Sequence, residues 1–131
     1  MLSIAPVFFV LAVLPPAPAP AGGARAFEAA RRAAIANAKS ARGRRYQPVL
    51  AKAFSESQAR QLGRCVESRK DPDLSPFEAL VEIGAGGAVE SVLVRPGTNV
   101  AVCLRESILK TRFPRPPRAH YWTSTTLRLT Q

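Results

Sequence analysis

The stretch FEALVEIGAGGAVESVLVRPGTNVAVCLRESILKTRFPRPP, residues 77–117, carries the reading of the fold. Its opening alternates: Phe77, Ala79, Val81 and Ile83 fall on one face, Glu78 and Glu82 on the other, the period-two pattern of a half-buried strand. Gly84, Gly86 and Gly87 come next, and their access to positive φ suits a short hairpin connection. Residues 88–94 alternate less regularly, but their valines and the Arg95-Pro96-Gly97 stop make them the returning strand. An isolated hairpin is marginal in water, so its apolar face requires a cover. A helix from Asn99 to Arg112 supplies one, with Val100, Cys103, Leu104, Ser107, Ile108 and Thr111 at helical spacing along one face. Thr98 or Asn99 can cap its start, and Pro114, Pro116 and Pro117 prevent its continuation past Phe113.

Outward from this stretch, charge divides the chain. The 131 residues hold 19 Lys and Arg against 9 Asp and Glu, a net charge of +10. Eight of the basic residues and only one acidic residue fall in residues 25–53, whereas residues 71–131 hold seven and six. The basic character therefore belongs to an N-terminal arm, residues 27–53, ahead of a nearly neutral domain, residues 54–131.

Residues 1–26, MLSIAPVFFVLAVLPPAPAPAGGARA, read as an export signal. The apolar run over residues 2–14 has the length of a secretory core segment, and Ala24-Arg25-Ala26 resembles a cleavage site that would leave Phe27 first. No Lys or Arg precedes the run. The alternative is an uncleaved inner-membrane anchor followed by a Pro-Ala spacer. Both predict an exported chain, periplasmic or secreted in a Gram-negative type of envelope.

Residues 27–42 have high helix propensity, with Phe27, Ala30, Ala34, Ile35 and Ala38 as a thin apolar stripe that Gly43 ends. Alanine buries little, so this helix is expected to be loosely docked or partly disordered. Arg31, Arg32, Lys39, Arg42, Arg44 and Arg45 then form either a solvated face or a contact for anionic lipid head groups and envelope polymers. Nucleic acid is not an expected partner: aromatic interleaving and a reader motif are both missing from the arm. A second helix is expected over residues 48–70, with Pro48 in its first turn and Ser55-Glu56-Ser57-Gln58 in the form of a capping box, as one long helix or two short ones. Phe54, Leu62, Cys65, Val66 and Arg69 share one of its faces.

Cys65 and Cys103 each lie on the apolar face of their own helix, and an oxidising compartment favours a bridge if both helices cover the same side of the hairpin. The rival reading is two buried free thiols. Residues 119–130, AHYWTSTTLRLT, alternate as a third strand. The fold expected is thus α+β: a three-stranded antiparallel sheet with two helices on one face, the other face partly solvated, preceded by a helical or disordered basic arm.

The order of these elements resembles the AgmX/PglI C-terminal domain, a relative of the TonB C-terminal domain. The motifs that carry it are Cys65 in the first helix, Val81-Glu82-Ile83-Gly84 with Gly86-Gly87-Ala88-Val89 at the hairpin, Asn99 to Cys103 at the helix start, and Phe113-Pro114-Arg115-Pro116 at its exit. The resemblance implies a non-catalytic cell-envelope module that presents a sheet edge or helix face to a partner protein. The final strand is the expected edge, with Tyr121, Trp122, Thr123 and Thr125 as its contact residues. Two alternatives accompany this reading: an envelope-surface binding protein acting through the basic arm, and a short TonB-like energy transducer with an uncleaved anchor.

Enzyme chemistry is not expected. Nucleophilic catalysis requires an oriented base, and the single histidine, His120, sits alone beside the Pro-rich stop. No phosphate loop and no metal-ligand spacing occurs along the chain, so neither cofactor, metal nor small-molecule substrate is expected.

Overall fold

A computed structural model describes residues 23–129; residues 1–22 of the expected export segment lie outside the described residues. The elements run α1 (Ala24–Lys39), α2 (Ala41–Glu67), β1 (Phe77–Ile83), β2 (Val89–Arg95), α3 (Asn99–Leu109) and β3 (Tyr121–Leu127). The strands form one antiparallel sheet in the order β2-β1-β3, which makes β1 the central strand.

The alternation along β1 sets the two faces. Phe77, Ala79, Val81 and Ile83 point to one side, where they meet Val92 of β2, Tyr121 of β3, Val100, Leu104 and Ile108 of α3, and Tyr46 and Leu50 of α2 in one buried cluster. Each large side chain sealed there is stabilised by roughly 1.5–3 kcal/mol relative to exposure. Thr98 caps α3 by accepting a hydrogen bond from the Ala101 amide. Beyond α3, the Phe113 amide donates to the Gly87 carbonyl at 2.8 Å, which ties the helix exit to the hairpin turn. Gly87 is the turn residue that requires glycine: its φ is 95°, and a Cβ there would collide with the Phe113 carbonyl. Gly84 and Gly86, expected to share that conformation, do not take positive φ.

The second face is not solvated. Leu80 is fully buried on it, beside Leu93 and Trp122, and α1 lies across these three through Phe27, Ala30 and Ala34. The expectation of a loosely docked arm is overturned for a physical reason. Leu80, Leu93 and Trp122 are apolar groups on a face that would otherwise meet water, and Phe27, 1 % exposed, fills the space above them. The helix also turns at a different place. Gly43 does not end α1; Ser40, with extended ψ of 154°, separates α1 from α2 and caps α2 by accepting from the Gly43 amide. Gly43 is instead in the first turn of α2, where the Asn37 carbonyl of α1 approaches so closely that no Cβ fits.

α2 is one continuous helix of 27 residues, longer at its start than expected, so Pro48 lies inside it and not in its first turn. Ser55 to Gln58 form no cap. Gln58 is buried mid-helix and bridges to α3, donating to Thr111 Oγ1 at 2.8 Å and accepting from Ser107 Oγ at 3.1 Å.

Candidate functional site

The two edges of the sheet differ. Along β2, α3 packs closely and Arg105 donates from Nε to the outward Val92 carbonyl at 2.8 Å. Along β3, Asn37 of α1 donates to the Trp122 carbonyl at 3.0 Å, which marks Trp122 as a residue whose backbone faces away from β1. By the alternation of an antiparallel ladder, Ser124 and Thr126 turn their backbone groups the same way. Among the described residues no hydrogen bond closes the edge at these two positions.

Beside this open edge α2 stands off from the sheet and leaves a groove of about 160 Å³. Leu50, Ala51 and Phe54 of α2 form one wall, Val81, Ile83 and Phe113 the floor, and Thr123 and Thr125 the rim, with Gln47 and Ser55 as polar groups. Phe54 stacks on Phe113 with ring centroids 6.1 Å apart, so the apolar wall is fixed by packing. An extended peptide laid along β3 would pair with Ser124 and Thr126 and place alternate side chains in the groove.

The expected contact residues divide between the two faces. Thr123 and Thr125 rim the groove. Tyr121 is fully buried, edge-on to Tyr46 at 5.1 Å and bonded at its hydroxyl by Gln47, so its ring belongs to the core and is closed to a partner. Burial, then the neighbouring Tyr121, pushes the Tyr46 phenol up to about 12, and Tyr46 donates to the Pro114 carbonyl at 2.7 Å. Trp122 lies half-buried on the opposite face under α1.

The basic residues divide as well. Arg31 is not free for an anionic surface: it pairs with Glu78 and Glu28, and its guanidinium lies 5.2 Å from the Phe27 ring centroid. Arg95 reaches the same Glu28 at 3.3 Å and the same ring at 4.8 Å. Glu78, expected on a solvated face, is half-buried. Burial pushes its carboxyl up, but hydrogen bonds from Arg31 and Ser124 and the charges of Arg31 and Arg95 outweigh that, and the net shift is downward. Arg32, Lys39, Arg42, Arg44 and Arg45 are exposed and form no ion pair among the described residues.

Cys65 and Cys103 are brought together as a disulfide with Cα atoms 5.7 Å apart, which joins α2 to α3 on the core side of the sheet. Such a bond is consistent with an oxidising compartment. Among the described residues no helix is long and apolar enough to cross a membrane.

Sequence reading missed the groove walls from α2, because the floor and rim come from segments roughly thirty to seventy residues further along the chain. It also missed the approach of His120 to Glu82 and Glu90.

Fold and site define a small α+β module in which the β3 edge lies open beside an apolar groove. Comparison with protein-family models, with curated proteins and with solved structures yields no match in any of the three, so the AgmX/PglI resemblance rests on the motifs quoted above.

Proposed function

We propose that this chain is an exported, periplasmic or secreted, non-catalytic binding module of the cell envelope that takes an extended segment of a partner protein along β3. The observation that carries this reading is the groove between α2 and the open edge at Ser124 and Thr126. On β2 the Val92 carbonyl is taken by Arg105 of α3, whereas on β3 the two successive outward positions Ser124 and Thr126 both stay open beside the apolar groove. The disulfide and the apolar run over residues 2–14 support export. Energy transduction as in TonB is a weaker reading, because the Pro-Ala spacer is short.

The exposed set Arg32, Lys39, Arg42, Arg44 and Arg45 favours a second reading, attachment to an anionic envelope surface. Deletion of the arm cannot separate the two, since α1 covers the sheet. Point variants can. A photo-crosslinker placed at Thr126 is expected to capture a partner in the envelope, and Ser124→Pro, which removes an outward amide, is expected to abolish capture. The triple charge reversal Arg42→Glu, Arg44→Glu, Arg45→Glu is expected to leave capture intact. Capture that survives Ser124→Pro and disappears with the charge reversal would overturn the edge reading in favour of the surface one.

A further inference from the structure

At the end of the sheet nearest the hairpin, three side chains from three separate segments converge: Glu82 of β1, Glu90 of β2 and His120, which immediately precedes β3. The His120 Nδ1 lies 2.8 Å from Glu90 Oε2 and 3.6 Å from Glu82 Oε2. We propose that Glu82, Glu90 and His120 form a binding site for a divalent transition metal, with Zn²⁺ as the ion that fits best.

Three features of the backbone build this cluster. The ladder between β1 and β2 pairs Glu82 with Ser91 and Ile83 with Val89, so Glu90 is the extra residue of a β-bulge. A regular strand would send Glu90 to the face opposite Ser91; a bulge re-aims it, here toward Glu82. Gly84 makes room for the result, since a Cβ at that position would collide with the Glu90 carboxylate. His120 is the one non-glycine among the described residues with positive φ, 52°, a conformation that costs free energy and here turns the ring to the two carboxylates.

The donor set suits the metal. Ligand atoms at the usual Zn–N and Zn–O lengths of a tetrahedral site are separated by about 3.4 Å, between the two distances seen. One imidazole nitrogen with two carboxylate oxygens is a borderline set that favours zinc over magnesium or calcium, which prefer oxygen alone. Ser91 Oγ donates to Glu82 Oε1 at 2.7 Å, which holds the carboxylate with Oε2 toward His120, the outer hydrogen bond that metal ligands commonly have. Three protein ligands leave a fourth position for water. The ion would fasten all three strands at one end of the sheet, on the α1 side, away from the groove.

The test is calorimetric titration of the oxidised chain with Zn²⁺, supported by NMR of the imidazole, which is unambiguous because the chain has one histidine. One equivalent is expected to bind with a shift of the His120 ring signals. His120→Ala and Glu90→Gln are expected to weaken binding by roughly 10-fold or more, and Gly84→Ala to weaken it by displacing the Glu90 carboxylate without touching a ligand. Absence of Zn²⁺ uptake by the wild type, or uptake undiminished in His120→Ala, overturns the proposal; in either case the three groups are only a hydrogen-bonded surface cluster.

Discussion

The two faces of the sheet are covered by different means. On one, α2 and α3 bury Leu50, Leu104 and Ile108 against Val81 and Val92, and a disulfide joins the two helices. On the other, α1 offers mainly alanine methyls and one aromatic ring, and it is held by polar ties: Glu28 to Arg95, Arg31 to Glu78, Asn37 to the Trp122 carbonyl. Apolar burial scales with area and is insensitive to pH, whereas partly exposed ion pairs are weakened by water, salt and acid. The α2/α3 face should therefore set global stability, and the α1 face should be the first to open.

The largest expected effect is on the braced face. Replacing both cysteines, Cys65→Ala with Cys103→Ala, removes a closure spanning 38 positions and should lower unfolding stability by roughly 4 kcal/mol in urea titrations, on the chain-entropy estimate. Leu104→Ala, at a site with no exposure, should lower it by about 3 kcal/mol through lost burial and a cavity. Equal losses from Ala30→Gly on the other face would break the contrast, since that change should cost only about 1 kcal/mol, mostly in helix propensity.

Phe27→Ala sharpens the comparison with a local readout. The single tryptophan, Trp122, sits under α1, so its emission should shift to the red, and the amides of α1 should exchange faster while those around Leu104 stay protected. Loss of protection at Leu104 in the same variant would show the two faces to be one cooperative unit.

Acid should separate the faces without mutation. The Glu78 carboxyl is held below its ordinary value of 4.5, so the unfolded or detached state binds the proton more readily. The contribution of this ion pair is present above that value and is lost as pH falls through the lower folded one. Trp122 emission should report loosening of α1 in that window, and Glu78→Gln should flatten the pH dependence. The smallest effect belongs to Lys52→Ala, which breaks a well-exposed pair with Glu56 and should change stability by no more than about 0.5 kcal/mol.

How much of this was legible depends on where the partners of each residue lie in the chain. The alternation at Phe77, Ala79, Val81 and Ile83, the stripe at Val100, Leu104 and Ile108, and the prolines after Phe113 all act over a few residues, and each element formed where those signals placed it to within a few positions. Leu80 was the signal for the second covered face: an apolar residue between Glu78 and Glu82 on the side assigned to water. It went unread because a single leucine on a strand has no meaning until Leu93 lies opposite it and Phe27 above it. Gly43 was misread, and Asn37 passed over, for a similar reason, since neither the close approach of α1 to α2 nor the bond to the Trp122 carbonyl leaves a local pattern.

The sequence by itself determined the α+β class, the antiparallel hairpin with its covering helix, and the setting of Cys65 and Cys103 on apolar helix faces, because periodicity, turn chemistry and proline stops are properties of neighbours. Only the tertiary structure decided that α1 seals the second face, that α2 leaves a groove beside β3 and not beside β2, and that Glu82, Glu90 and His120 meet. Those outcomes rest on contacts between segments tens of residues apart, and they depend on strand order, a bulge and a helix turn that local patterns do not specify.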